Sequence, residues 1–152
     1  MAVETSMLDP TDRRILEELA GDARLTLAEL GRRVNLSPPA ARERLQRLER
    51  TGVIKGYHAE IDPTALGYPL TAIVRVRPAA RQLPRIQELA ASIPEVSECH
   101  RITGEDCFFL KIHLRSLDEL DGVLDQFLVY GQTTTSLVQS SPLPHRPPPL
   151  GG

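Results

Sequence analysis

A short segment that begins at Ser37 carries side chains suited to recognising the edges of nucleic-acid bases. Arginine and glutamine form paired hydrogen bonds with guanine and adenine, and glutamate can accept from cytosine. The apolar residues Ala41, Leu45 and Leu48 are spaced by four and three positions, which predicts a helix with one buried face. The remaining, outward face of that helix consists of Pro39, Ala40, Arg42, Glu43, Gln46 and Arg47.

Two helices joined by a short turn must position this face. Thr26 with Glu29 predicts a capped start of the first helix, and Ser37-Pro38 predicts a sharp start of the second. The connection Asn35-Leu36-Ser37 has the length of a helix-turn-helix, in which the second helix directs its N-terminus at the DNA groove. We therefore predict a helix-turn-helix over Thr26–Arg50.

The charge distribution supports a polyanionic partner. The whole chain of 152 residues carries a net charge of −2, but residues 24–55 contain eight basic and three acidic side chains, a local charge of +5. Such a basic island attracts DNA even when the total charge conceals it. Four of the basic residues are predicted to bind phosphates, which position a protein without specifying sequence: Arg32, Arg33, Arg50 and Lys55.

Two further features bear on the helix-turn-helix prediction. Arg44 lies beside the apolar stripe, so a structural ion pair, with Glu17 or Glu49 as the partner, is favoured over a base contact. The segment Val53–Ala59 is predicted to be a short strand that forms a wing. The alternative is an arginine-rich helical hairpin that is only a solvated surface, and the wing favours the DNA-binding interpretation.

The segment before this motif predicts another helix, and no segment predicts a membrane span or signal peptide. Asp9, Pro10 and Asp12 form a helix-start pattern, and Gly21 ends that helix. No apolar run approaches the ~18–20 residues that cross a bilayer. The two cysteines are predicted to be free thiols, and a cytoplasmic location is expected.

The second half of the chain has the βαββαβ order of a ferredoxin-like domain, which makes the fold class α+β. The predicted strands and helices cover, in order, Leu70–Arg77, Leu83–Ser92, Val96–Thr103, Cys107–Leu114, a helix after Ser116, and Gln132–Ser140. If the hairpin loop centres on Gly104-Glu105, Cys99 faces Leu110 rather than Cys107. The open face of this sheet should carry Ile73, Phe109 and some threonines, and exposed apolar sheet faces are usually interfaces.

The expected domain organisation has four parts: a winged helix-turn-helix over residues 1–62, a linker over 63–69, the ferredoxin-like domain over 70–140, and a proline-rich tail over 141–152. The tail should be an extended arm or disordered. Metal binding is not expected, because Cys99, His100 and Cys107 lack paired ligand spacing. The chain is expected not to be an enzyme, because no phosphate loop or nucleophile motif is present.

Taken together, these residues resemble a family. From Leu8 to about Ser140 the chain is similar to the Lrp/AsnC feast/famine regulators. The motifs that carry the resemblance are Leu8-Asp9-x-x-Asp12-Arg13-Arg14-Ile15-Leu16, Asp22-Ala23-Arg24, Leu36-Ser37-Pro38, Arg44-Leu45-x-x-Leu48-Glu49-x-x-Gly52-Val53-Ile54, Ile61-Asp62-Pro63-x-x-Leu66-Gly67, Pro94-Glu95-Val96 and Ile102-Thr103-Gly104-Glu105-Asp106. The resemblance implies a winged helix-turn-helix, a second domain that pairs two copies, octamers in many members, and amino-acid effectors.

The resemblance also places an effector site at the turn Gly104-Glu105-Asp106, near a subunit interface. Gly104 would let the backbone approach a ligand, and Asp106 could accept from an α-ammonium group. Hydroxyls suited to a carboxylate or amide follow on the last strand: Thr133, Thr134, Thr135 and Ser136. An ordinary hairpin turn and ordinary strand formers are the alternative. The segment Val129–Gln132 also departs from the family's Pro-Gly-Val step.

We therefore expect a sequence-specific DNA-binding transcriptional regulator that responds to an amino acid and uses no cofactor. Its expected partners are double-stranded DNA, the amino-acid effector and further copies of itself, as a homodimer or octamer. The alternatives are an effector-independent architectural DNA-binding protein and a ferredoxin-like enzyme.

Overall fold

The computed structural model describes residues 8–150, which divide into two compact units. Of these residues, 8–60 and 144–150 belong to the first unit, and Ile61–Leu143 form the second. The first unit contains the helices α1 (Pro10–Gly21), α2 (Leu27–Val34) and α3 (Pro38–Arg50). The second contains a 3-10 turn (Thr64–Leu66), β1 (Leu70–Pro78), α4 (Leu83–Ser92), β2 (Val96–Arg101), β3 (Phe108–Leu114), α5 (Leu117–Leu128) and β4 (Gly131–Leu137).

The predicted helix starts in the first unit are confirmed. The side chains of Asp9, Thr26 and Ser37 each accept a backbone N–H at the start of a helix. Asp9 and Asp12 form a full capping box, since each side chain accepts from the other's backbone N–H. These local bonds satisfy N–H groups that a helix leaves unpaired, which is why the polar residue fixes the boundary.

The turn between α2 and α3 is tight. Asn35 adopts the left-handed conformation with φ 58°, and the N–H of Leu36 donates to the carbonyl of Gly31 at 2.8 Å. The helices then pack on a core of Ile15, Leu30, Val34 and Leu48. Burial of these aliphatic side chains holds α1 against the helix-turn-helix that α2 and α3 form.

The predicted wing strand over Val53–Ala59 is wrong for this chain. These residues form no ladder, and Ile54 packs on the helical core instead, with its N–H donating to the carbonyl of Leu48 at 3.0 Å. The hydroxyl of Tyr57 donates to Glu49 at 2.8 Å. A strand requires a neighbouring strand, and the described part of the first unit contains none.

The second unit has the predicted ferredoxin-like topology. Its four strands are antiparallel in the order β2-β3-β1-β4, and α4 and α5 cover one face. Cys99 lies opposite Leu110, as the hairpin prediction required, and both cysteines are free. A β-bulge interrupts the pairing of β2 with β3 between Val96 and Glu98.

The core of this unit lies between the sheet and its two helices. Fully buried strand residues include Val74, Leu110 and Ile112, which pack against Ile86 and Phe127 of the helices. Buried and half-buried residues alternate along β3, and the half-buried ones lie on the sheet face that α4 and α5 do not cover. That face is available for other contacts.

The segments outside these helices and strands include the C-terminal tail and the connection between the two units. Residues 141–150 contain neither helix nor strand, and the carbonyl of Leu150 accepts from Arg13 Nη1 at 2.7 Å. The segment expected as a linker, 63–69, holds the 3-10 turn and ends it with Gly67 at φ 87°. No helix within residues 8–150 is long and apolar enough to cross a membrane.

Candidate DNA-reading helix and effector site

The exposed face of α3 contains the residues expected to read bases. Arg42, Glu43 and Gln46 are exposed, and no hydrogen bond or ion pair within residues 8–150 engages their side chains. Pro39 is exposed and Ala40 half-buried, and the backbone N–H of Ala40 donates to Ser37 Oγ at 3.4 Å. Small residues at this end of the helix would let its first turn approach a surface closely.

Arg32 and Arg33 share one carboxylate. Arg32 binds Glu29 through two bonds of 2.6 and 3.0 Å, and Arg33 reaches the same group at 2.9 Å and Glu18 at 2.8 Å. The hydrogen bonds from Arg32 and then Arg33 lower the pKa of Glu29 to about 2. All of these groups are solvent-exposed or nearly so, so the pairs are weak and can exchange for phosphates.

Arg50 and Lys55 are exposed, and neither makes an ion pair with another described residue. Both are therefore free to bind phosphate.

Arg44 differs from these residues, because it lies against α1 and donates to Asp9 at 2.5 Å and to Asp12 at 2.9 Å. Its structural role is confirmed, but the suggested partners Glu17 and Glu49 are wrong. The pKa of Asp9 is lowered, chiefly by the hydrogen bond from Arg44.

Arg47 is the one predicted reading residue that the structure ties to another element. Its Nη2 atom lies 2.7 Å from both carboxylate oxygens of Asp12. The side chain of Arg47 is 45% exposed, whereas that of Asp12 is 4% exposed. Arg47 therefore lies at the edge of the exposed face, with its charge already compensated.

The predicted effector turn folds toward β1. Gly104 has φ 104°, a conformation that glycine adopts without strain, and open space surrounds its missing side chain. The carboxylate of Glu105 binds Arg77 at 2.7 Å, and that of Asp106 lies 3.6 Å from both Arg75 and Arg77. Anionic and cationic groups thus lie side by side beneath the turn.

The hydroxyl row on β4 divides between the two faces of the sheet. Thr133 and Thr135 pair with the buried Val76 and Val74, which places them on the helix side. Thr134 pairs with Arg75, and Ser136 pairs with Ile73, on the open side. Directly paired side chains share a face of the sheet, so only the second pair lies on the face that carries the arginines.

Arg75 and Arg77 were not among the sequence-predicted site residues. The signal was present, because Ala72, Val74 and Val76 alternate with them along β1, so both arginines must lie on the open face. An arginine guanidinium binds a carboxylate through paired hydrogen bonds. With Asp106 beside them, the arginines supply charges for both ends of an α-amino acid.

The rest of the open face is mixed in character. His100 and Phe109 are paired neighbours with ring centroids 6.2 Å apart, and Glu98 binds Lys111 at 3.3 Å. The hydrogen bond from His100 and then that from Lys111 lower the pKa of Glu98, and burial lowers the pKa of His113.

The described cysteines and histidines are not arranged to favour thiol or metal chemistry. Burial raises the pKa of the Cys99 thiol. Within residues 8–150, no group of three His, Cys, Asp or Glu side chains is close enough together to hold a metal ion.

Comparison with known proteins agrees with both halves of this arrangement. One matching family model is described as a winged helix-turn-helix DNA-binding domain and covers residues 8–55. The other is an Lrp/AsnC ligand binding domain and covers residues 71–148.

Relatives and solved structures match along most of the chain. The HTH-type transcriptional regulator LrpC of Bacillus subtilis is 38% identical over 133 residues, which cover 88% of this chain and 92% of that protein. The LrpC structure superimposes with a TM-score of 0.84 and covers 88% and 95% of the two chains. A transcriptional regulator of Neisseria meningitidis, solved as an L-Met complex, is 32% identical with a TM-score of 0.83, over 91% and 94% of the two chains.

A helix-turn-helix followed by a ligand-binding α/β unit defines a DNA-binding transcriptional regulator of the amino-acid-responsive class. The matches cover both units and extend over the greater part of each relative. The chain belongs to the Lrp/AsnC family.

Proposed function

We propose that α3 reads the major groove of DNA through Arg42, Glu43 and Gln46. One observation carries this proposal: the three side chains share the exposed face of α3, and no other residue among 8–150 binds them. Ser37 caps the N-terminus of the same helix. Arg50 and Lys55 bind phosphates, and Arg32 and Arg33 join them by releasing Glu29. Phosphate contacts set the register, and the face of α3 sets the sequence preference.

The test is a binding measurement on duplexes that the wild-type chain selects from a random pool. Arg42→Ala and Gln46→Ala should each weaken binding by about 1–3 kcal/mol and relax the preference at one base position. Arg85→Ala is the matched control, because Arg85 is 63% exposed on α4 of the other unit. If both α3 variants keep the affinity and preference of the wild type, this face does not read bases.

We also propose that the turn at residues 104–106 holds an amino-acid effector. The α-carboxylate would bind Arg75 and Arg77, the α-ammonium group would bind Asp106, and Thr134 and Ser136 lie on the same sheet face. The L-Met complex of the Neisseria regulator supports an amino acid as the ligand class. A ligand would displace Asp106 from the arginines, and the 3.6 Å separations make those contacts weak.

Thermal-shift screening of the twenty amino acids tests the effector proposal. A ligand at about 100 times its dissociation constant adds about 2.7 kcal/mol to stability. Asp106→Ala should abolish the shift while DNA binding survives, and Asp125→Ala, at an exposed position on α5, should change neither. If no amino acid shifts the unfolding temperature, the effector-independent architectural function is the better assignment.

We propose finally that two copies pair through the open sheet face, and that the protein acts as a regulator rather than an enzyme. Ile73 and Phe109 lie half-buried on that face, where no helix of the described chain covers them. Two-fold pairing would place two α3 helices over a palindromic site. Sedimentation equilibrium separates a dimer from an octamer, and a monomer at micromolar concentration would refute the pairing.

A further inference from the structure

Asp12 is the only polar or charged residue among residues 8–150 that is buried, with 3% of its surface exposed. Both of its carboxylate oxygens accept from Arg47 at 2.7 Å, and one also accepts from Arg44 at 2.9 Å. Its own N–H donates to the Asp9 carboxylate at 2.7 Å. The first turn of α1 therefore presents two carboxylates to α3, and two of the arginines of α3 are bound to them.

The two arginines are three residues apart, so they lie on one side of α3. Arg47 also follows Glu43 by four residues, which places it next to the exposed face. Arg42 and Arg50 have no carboxylate partner among the described residues, although they lie on the same helix. The structure thus divides the arginines of α3 into a free pair and a pair compensated by α1.

A buried carboxylate without a cation is strongly unfavourable, so Asp12 retains its arginines more firmly than an exposed acid would. This contrasts with Glu29, whose arginines are exposed and can exchange. If Arg47 and Arg44 moved to a phosphate, the buried carboxylate of Asp12 would lose its cations, and an exposed phosphate contact stabilises less than that loss costs. Both guanidinium groups should therefore stay on α1 when the helix binds DNA.

We propose that Asp12 is a positioning and specificity-determining residue that holds Arg47 and Arg44 away from the DNA phosphates. Phosphate contacts strengthen binding to every sequence equally, so withholding two cations lowers non-specific affinity and leaves discrimination to Arg42, Glu43 and Gln46. The same ion pairs fix the rotation of α3 about its axis. This inference rests on the proposed DNA-reading role of α3 and assigns Arg47 to the positioning of the helix instead of to base reading.

The test compares Asp12→Asn with the wild type on two duplexes, the selected site and a scrambled sequence of the same composition. Fluorescence anisotropy between ~50 and ~200 mM salt gives the slope of log K against log salt, which steepens by about 0.9 for each additional phosphate that the protein neutralises. We expect the variant to bind the scrambled duplex more tightly, with a slope steeper by about 0.9 to 1.8, and the ratio of specific to non-specific affinity to fall.

Glu17→Gln is the matched control. Glu17 is an exposed acid of α1 that makes no ion pair with another described residue, so its removal changes the net charge equally without releasing an arginine. Its slope should equal that of the wild type. In the double variant Asp12→Asn, Arg47→Gln, the slope should return at least half of the way to the wild-type value.

A purely structural role for Asp12 would lower both affinities and leave the slope unchanged, and that result would overturn the proposal. If Asp12→Asn does not fold, the salt slope of the single variant Arg47→Gln still tests the proposal. A flattening of the slope by about 0.9 would show that Arg47 already binds phosphate, whereas an unchanged slope agrees with its retention by Asp12. If the wild type itself binds neither duplex with salt dependence, the DNA-reading proposal fails instead.

Discussion

The turn of the helix-turn-helix passes close to Gly31, so its geometry can be tested by adding a single methyl group at that position. A Cβ atom at this position would lie 2.6 Å from the carbonyl oxygen of Leu36, well inside van der Waals contact. That oxygen belongs to the turn, and the N–H of Leu36 is bonded to Gly31 at 2.8 Å. Neither partner is the end of a flexible side chain, so the turn itself must move.

Two opposing effects determine the stability of Gly31→Ala. Alanine is favoured over glycine inside a helix by about 1 kcal/mol. Overpacking costs about 1–3 kcal/mol, and a contact this short against backbone belongs in the upper half of that range. We therefore expect Gly31→Ala to lower the free energy of unfolding by about 1–2 kcal/mol. In a unit of this size, each kcal/mol lowers the unfolding temperature by roughly 4–8 °C.

Gly21→Ala is the matched control. Gly21 ends α1, and no atom lies within 4 Å of a Cβ built there. This variant should therefore gain up to about 1 kcal/mol from helix propensity alone. Urea unfolding followed by far-ultraviolet circular dichroism measures both variants, and duplex binding by Gly31→Ala should weaken because α3 is displaced. If Gly31→Ala is as stable as Gly21→Ala, the close approach of Leu36 is refuted.

Two further predictions concern charge and packing. Glu29 has a pKa of about 2 in the folded chain, below its ordinary value of 4.5. The stability that its ionised form contributes is therefore complete above pH 4.5 and is lost as the pH falls from 4.5 toward 2. Glu29→Gln should remove this part of the acid sensitivity, which urea midpoints at about pH 5 and about pH 3 would reveal; an equal loss of stability in both proteins would contradict the assignment. Phe127 is fully buried in the second unit, and Phe127→Ala should cost about 3–5 kcal/mol. Calorimetry should show the loss in the second unit's transition, and a loss below about 1 kcal/mol would mean that the core is not packed around this ring.

Local signals in the sequence predicted the fold well. Helix starts at Asp9, Thr26 and Ser37 depend on bonds between residues three positions apart, which can be read directly from the chain. The register that places Cys99 opposite Leu110 follows from the position of one turn. In each of these cases the partners are close in sequence or fixed by strict alternation.

Interactions between distant residues were harder to predict. The bond between Arg47 and Asp12 joins residues 35 positions apart, and nothing in the sequence distinguishes Arg47 from Arg42. The wing strand at Val53–Ala59 has the composition of a strand, but a strand requires a partner that the described chain does not supply. Strand alternation places Arg75 on the open face, but its nearness to Asp106 could not be read from the chain, because the hairpin brings Asp106 back to β1.

The β-bulge in β2 has a consequence for how the protein behaves at high concentration. Exposed sheet edges recruit strands from other molecules and so begin aggregation, and a bulge or charged side chains discourage this pairing. The β2 edge has both, because the bulge lies between Val96 and Glu98 and the strand carries the charged residues Glu98 and Arg101. The opposite edge, β4, contains no charged residue from Gly131 to Leu137. Unwanted strand addition in concentrated solution should therefore begin at β4.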